Sequence, residues 1–219
     1  MQTFKTSKAK ENILARVRKG LNDGKVDMPF PEVEKESVDK VYANSTLSIE
    51  ETFADAFIKL GGKFVYCDNE QELMENIANL HESNGWGKML CSDSRMAELF
   101  QNNKLDIVRS LAQGHIETEV CITDCETLVA RTGSVILTSK QFMGRTAPVF
   151  YPVHIIIAYA NQIVPDIDDA INLMKKRYSN NLPSMINLNT GPSRTADIEK
   201  TLVVGVHGPG EVFCFYVNA

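Results

Sequence analysis

The sequence predicts an α/β fold: a mostly parallel central sheet with helices on both faces, preceded by an N-terminal helical arm. Two kinds of segment predict it. Short, almost wholly apolar stretches such as "VHIIIAYA" and "EVFCFYV" have strand length and no polar face, as strands buried on both sides require. Amphipathic stretches of helical period, such as "NEQELMENIANLHES" and "DIDDAINLMKKRY", are interleaved with them, and that alternation is the signature of helices packed over a sheet.

The elements follow in order. "TSKAKENILARVRKGL" carries Ile13, Leu14 and Val17 at helical spacing among basic residues, with Gly20 as a stop. This stripe is thin and needs a partner surface. Residues 21 to 46 hold two prolines and no period, so they are expected as an extended arm. The division is therefore an N-terminal helix and arm over 1–46 and an α/β domain over 47–219. The domain opens on "SIEETFADAFIKLGG", where Ser48 and Glu51 form a capping box and Phe53, Ala56, Phe57 and Leu60 form the buried stripe. Gly61 and Gly62 end that helix. "KFVYC", "KMLC" and "ETEVCI" are expected as strands, "SDSRMAELF" and "TDCETLVAR" as helices. "GSVILTS" and "SMINLN" follow as strands, "TADIEKTLV" as a helix, and "EVFCFYV" closes the sheet.

At 219 residues, 43% hydrophobic and 23% charged, the chain can bury a full core without a staple. A net charge of −5 argues against a phosphate-neutralising nucleic-acid binder and against an anionic membrane partner. No apolar run reaches the ~18 residues of a membrane span, and the charged N-terminus is not a secretory signal, so the expected location is cytoplasmic. Five cysteines without a C-x-x-C pair read as free thiols, with no metal site expected. Three strand ends read "YCDN", "LCSD" and "VCITD". Such ends are where open α/β sheets bind ligands; the favoured reading takes their cysteines as small hydrophobes and their Asp and Asn residues as helix caps.

The polar loops carry the candidate ligand residues. In "NLNTGPSRTADIE", Gly191 frees the backbone and Pro192 suits the first position of a helix. The amides of Ser193, Arg194 and Thr195 would then face an anion at the helix N-terminus, with the Arg194 guanidinium beside them. Asp197 and Glu199 either contact ligand hydroxyls or simply complement the helix dipole, with Thr195 as the cap. Thr132, Gly133 and Ser134 sit in "ARTGSVILTS", where glycine lets backbone donors approach a ligand or merely makes a turn. His207 and Gly208 lie in the "GVHGPGE" turn, and His154 in "PVHIII" reads as structural. "SKQFMGRTAP" is expected as an exposed loop, with Gly144 and Arg145 as anion contacts or a lid. No nucleophile triad, metalloprotease, P-loop or dinucleotide motif is present, so the catalytic residues are unknown.

The segment "TGPSRTADIEKTLVVGVHGPGE", with "TGSVILT" and "PVHIIIAYANQIVPDIDDAI" upstream, closely resembles the lactate-utilisation branch of the LUD-domain family over roughly residues 48 to 219. The resemblance implies a fold of the NagB/RpiA/CoA-transferase type. It also implies a role in oxidising L-lactate to pyruvate beside partner proteins that carry iron–sulfur clusters, with no cofactor held by this chain. Gly191, Ser193, Arg194, Thr195, Asp197, Glu199, Thr132, Gly133, Ser134, His207 and Gly208 are carried over as ligand-binding candidates. The chain departs from the family where "AETG" becomes "ARTG", so Arg131 stands in place of an acid.

Three functions are compatible with these features. The first is a non-redox component of a lactate-oxidising system that binds a small anion in a strand-end crevice. The second is a stand-alone isomerase or ligase acting on a phosphorylated metabolite, folate or CoA ester. The third is a binding module whose N-terminal helix docks on another chain or a second protomer.

Overall fold

The computed structural model describes residues 8–23, 46–113, 116–195 and 202–218, grouped in two compact units, 1–44 and 45–219. In the first unit, helix α1 (Lys8–Asn22) runs past Gly20, and Ile13, Leu14, Val17 and Leu21 are all exposed. The expected arm over 24–45 lies outside the described residues.

The second unit is built on six parallel strands in the order β1-β12-β7-β4-β2-β3. These are β1 (Lys63–Cys67), β2 (Met89–Cys91), β3 (Val108–Ser110), β4 (Val120–Thr123), β7 (Val153–Tyr159) and β12 (Glu211–Val217). Successive side chains of a strand point to opposite faces, and both faces here are dry. Ile155, Ile157, Phe213, Phe215 and Val217 pack under α3 (Glu70–Asn84) and α4 (Ser94–Asn102), which bury Leu73, Ile77, Met96 and Phe100. Ile156, Ala158, Val212, Cys214 and Tyr216 turn to the other side, where they meet Phe53 and Phe57 of α2 (Ile49–Lys59). That is why these strands read as unbroken apolar runs.

A second, four-stranded sheet covers part of this other face, in the order β8-β5-β6-β9: β5 (Thr127–Val129), β6 (Ser134–Thr138), β8 (Ile163–Val164) and β9 (Ile186–Asn189). Leu128, Val135 and Leu137 face the α2 cluster, while Val129 and Ile136 face Ala170 and Met174 of α6 (Ile167–Tyr178). "GSVILTS" and "SMINLN" are therefore strands of this sheet rather than of the central one. "TDCETLVAR" is not a helix: its core is β5, paired antiparallel with β6. A three-residue apolar run buried on both faces has no period to reveal its type. The segment expected as an exposed loop contains a short helix, α5 (Ala147–Phe150).

The capping box at Ser48 forms as the sequence predicts, with Ser48 N donating to Glu51 Oε2 at 2.9 Å and Glu51 N to Ser48 Oγ at 3.3 Å. The turn between β5 and β6 presses directly on α2. Gly133 sits there at φ +58°, and a Cβ would lie 2.4 Å from Phe57 N and 2.6 Å from the Ala56 carbonyl carbon. Both obstacles are backbone, so neither can rotate aside. Gly133→Ala should therefore lose more than about 3 kcal/mol of stability in urea unfolding; a loss under about 1 kcal/mol would show that α2 can retreat from the turn.

Candidate functional site

The carboxyl ends of the parallel strands open into a crevice of about 600 Å³, the place where ligands bind in open α/β sheets. Two of the three polar strand ends noted in the sequence are helix caps. Asn69 Oδ1 accepts from Glu72 N at 3.0 Å at the start of α3, and Asp93 Oδ1 accepts from Met96 N at 2.9 Å at the start of α4. Asp124 follows β4 and has no helix to cap, because β5 comes next. Cys91 pairs with Ile122, so continuing that register sets Asp93 beside Asp124.

Glu70, Asp93, Arg95, Asp124, Tyr159 and Arg177 line the crevice. Burial pushes the Asp124 carboxyl up to about 6; the Gln141 side chain opposes this, while the charges of Asp93 and Glu126 add to it. Arg177 is committed to Glu126, a buried carboxylate that also accepts from Tyr178 OH and, at 2.8 Å, from Thr138 Oγ1. Arg95 is exposed and has no hydrogen-bond or ion-pair partner among the described residues. Tyr159 OH donates to Glu70 Oε1 at 3.1 Å, and burial, with Glu70 adding, pushes its pKa up to about 12. The crevice thus combines an unpaired guanidinium, a carboxyl that exchanges its proton near neutrality, and a phenol that stays protonated. None of these residues was singled out from the sequence. The available signal was the third Asp-bearing strand end, which no following helix explains.

The loop that the sequence places at a helix N-terminus is built differently. Arg194–Thr195 form strand β10, paired antiparallel with β11 (Val203–Val204). Ser193 N donates to Pro209 O at 2.9 Å, and Gly205 N donates to Ser193 O at 2.9 Å. The Ser193 amide is therefore spent on the neighbouring glycine-proline turn, because two adjacent chains satisfy each other before any ligand does. Arg194 Nη2 donates to Leu60 O at the end of α2, where a cation also complements the helix dipole. Asp197 and Glu199 lie outside the described residues. His207 is exposed in its turn, and Gly208 is pressed against Pro148 O and Ser193 Cβ, both 3.0 Å from where its Cβ would be.

Thr132 and Ser134 do meet the first loop: Ser134 Oγ lies 2.8 Å from both Thr132 Oγ1 and Thr190 Oγ1. Arg131 forks onto Asp166, Nε to Oδ2 and Nη2 to Oδ1, both at 2.6 Å. This cation therefore ties a turn to the N-cap of α6, and this contact chiefly holds Asp166 below the usual carboxylate range. Arg145 Nη2 donates to Ser184 Oγ at 2.6 Å, and Gly144 lies against Thr138 O, so that loop is pinned down. Gly191 and Ser193 line a separate cavity of about 260 Å³ at the opposite ends of the strands. All five cysteines are buried free thiols, and burial pushes Cys91 and Cys121 up to about 12.

A model of the LUD domain matches residues 50–217. The chain belongs to the LUD-domain family. Lactate utilization protein C of Bacillus subtilis (strain 168) is 40% identical over 95 residues, 42% of this chain and 40% of that protein. The protein of the same name from Anoxybacillus flavithermus (strain DSM 21510 / WK1) is 28% identical over 152 residues, 64% of this chain and 68% of its own length. The first of these matches thus spans about two fifths of its relative. A crystal structure of a DUF162 family protein from Deinococcus radiodurans superposes with a TM-score of 0.57 at 20% identity, covering 78% of this chain and 99% of the other. This LUD domain and that protein share the fold. No helix among the described residues is long and apolar enough to cross a membrane.

The raised pKa of Asp124 has a definite sign in stability. Between its ordinary value and about 6, the folded protein holds a proton that the unfolded chain has lost. The stabilisation is full below the ordinary value and is lost as pH rises through about 6. Asp124→Asn, which keeps the neutral form at every pH, should therefore gain stability over wild type by about 1–3 kcal/mol between acidic and mildly alkaline buffers. Parallel urea-unfolding curves for the two proteins across this range would show instead that Asp124 is solvated.

Proposed function

We propose that this LUD domain is a component of a lactate-utilisation system and that its strand-end crevice holds a small 2-hydroxy or 2-oxo carboxylate. The single observation that carries the site is Arg95, unpaired among the described residues, lining the same crevice as Asp124, a carboxyl pushed up to about 6. Arg95 would take the ligand carboxylate through charge-assisted hydrogen bonds. An ionised Asp124 accepts a hydrogen bond from a hydroxyl; protonated, it donates one to a keto oxygen. The same residue can therefore hold either member of a hydroxy-acid/keto-acid pair, depending on its own proton. The relatives named for lactate utilisation supply the system. In this proposal the two electrons released on oxidising the hydroxyl carbon go to iron–sulfur partner proteins.

The stand-alone isomerase or ligase on a phosphorylated metabolite, folate or CoA ester is less well supported. A phosphate dianion would face Glu70, Asp93 and Asp124 with one guanidinium uncommitted among the described residues to meet it.

Calorimetric titration of the purified protein tests the crevice. L-Lactate should bind more tightly as pH rises through about 6, and pyruvate less tightly. Asp124→Asn should flatten both profiles, and Arg95→Ala should weaken both ligands about 10- to 100-fold. In cells, deleting the gene should abolish growth on L-lactate but not on pyruvate, with rescue by wild type and not by Arg95→Ala. Growth on lactate unimpaired by the deletion, or binding indifferent to both substitutions, would rule the proposal out.

A further inference from the structure

The loops that the sequence singles out as an anion site wall a second cavity, and its chemistry is not that of an anion site. It lies at the amino ends of β7 and β12, where His154 and Val212 are register partners. Tyr159, at the far end of β7, lines the crevice, so the two openings are separated by roughly 17 Å of strand. Pro192, Ser193 and Pro209 contribute one wall and Asn189 another. The proline wall is held by the Ser193–Pro209 and Gly205–Ser193 backbone hydrogen bonds and by the Arg194 clamp on Leu60.

Among the described residues, no charged side chain lines this space. His154 is buried, and burial holds its imidazole down at about 4, so it is uncharged at neutral pH. One of its ring nitrogens meets Thr123 Oγ1 at 2.9 Å; the other has no hydrogen-bond partner among the described residues. Asn189 Nδ2 is buried without a partner of any kind among the described residues. Buried amide donors left unpaired are costly and uncommon in native proteins. One bridging water could satisfy them, but about 260 Å³ is room for roughly nine waters at their liquid volume. The remaining walls include Phe57, Ile156 and Val212, surfaces that hold water poorly.

We propose that this cavity binds a small uncharged molecule of roughly ten non-hydrogen atoms or fewer. Its hydrogen-bond acceptor, a carbonyl or equivalent oxygen, would face Asn189 Nδ2, beside the imidazole of His154. Its apolar remainder would lie against Phe57, Ile156 and Val212. An anion of the same shape is disfavoured, because a buried charge would meet no counter-charge among the described residues. The site is distinct from the carboxylate crevice and stands whether or not that crevice binds lactate.

Benzamide and its charged isostere benzoate test this on the full chain with nitrogen-labelled histidine. Benzamide should bind saturably in the millimolar range, shift the His154 ring signals and leave those of exposed His207 in place. Benzoate should do neither. Asn189→Leu, which keeps the volume and removes the donor, should weaken benzamide about tenfold while retaining the wild-type amide spectrum elsewhere. Wild-type protein alone decides the matter if that variant misfolds. Benzamide that fails to move the His154 signals, benzoate that binds equally well, or a folded Asn189→Leu of unchanged affinity would each overturn the proposal.

Discussion

The architecture of this LUD domain depends on two strands, β7 and β12, being buried on both faces at once. One face packs under α3 and α4, the other against α2 and the smaller sheet. Parallel strands sandwiched this way must all run in the same direction, so every carboxyl end opens on one side of the molecule and every amino end on the other. The crevice and the second cavity are the two consequences. They face opposite ends of β7 because the strand between them is solid core, which keeps their chemistries apart.

The electrostatics follow from which polar groups the core accepts. Glu126 is almost wholly buried and is met by Arg177, Tyr178 and Thr138. A buried carboxylate is tolerated only with such a full set of partners. Its neighbour Asp124 has no equivalent cation among the described residues, so burial is the largest influence on it and pushes its carboxyl up to about 6. Asp93 instead has its side chain occupied as the N-cap of α4, accepting from Met96 N. Three neighbouring acids, Asp93 after β2 and Asp124 and Glu126 between β4 and β5, thus serve three purposes: a cap, a titrating group and an anchor.

The cations tell a parallel story. Arg131, Arg145 and Arg194 all sit in loops suggestive of anion binding, yet each meets the protein itself, at Asp166, Ser184 and Leu60 O respectively. A guanidinium offers five donors in a fixed fork, which suits it equally to a ligand and to pinning a loop across two elements. Arg95, on the first turn of α4, is the crevice-lining arginine that has no such commitment among the described residues. That difference comes from tertiary neighbours; the residue type is the same in both cases.

Local sequence carried the fold class, the capping box at Ser48, the course of α3 and α6, and five of the six central strands, because each is written in local periodicity or in a cap a few residues away; the short edge strand β3 was not legible. The sequence also carried the family, through the long "GPSRTADIE…GVHGP" segment. It did not determine that "CETLVA" contains a strand or that "GSVILTS" belongs to a second sheet, since a run apolar on every side is the same letters in either layer. Nor did it determine what the "TGPSRT" loop holds. Local pattern placed bare amides at a helix start, whereas Ser193 N bonds Pro209 O and Arg194–Thr195 pair antiparallel with Val203–Val204, partners that lie beyond the reach of a local pattern. The proton on Asp124 and the empty-handed donor of Asn189 were likewise decided only by tertiary structure, because burial and the absence of a partner are properties of the surroundings and not of the residue.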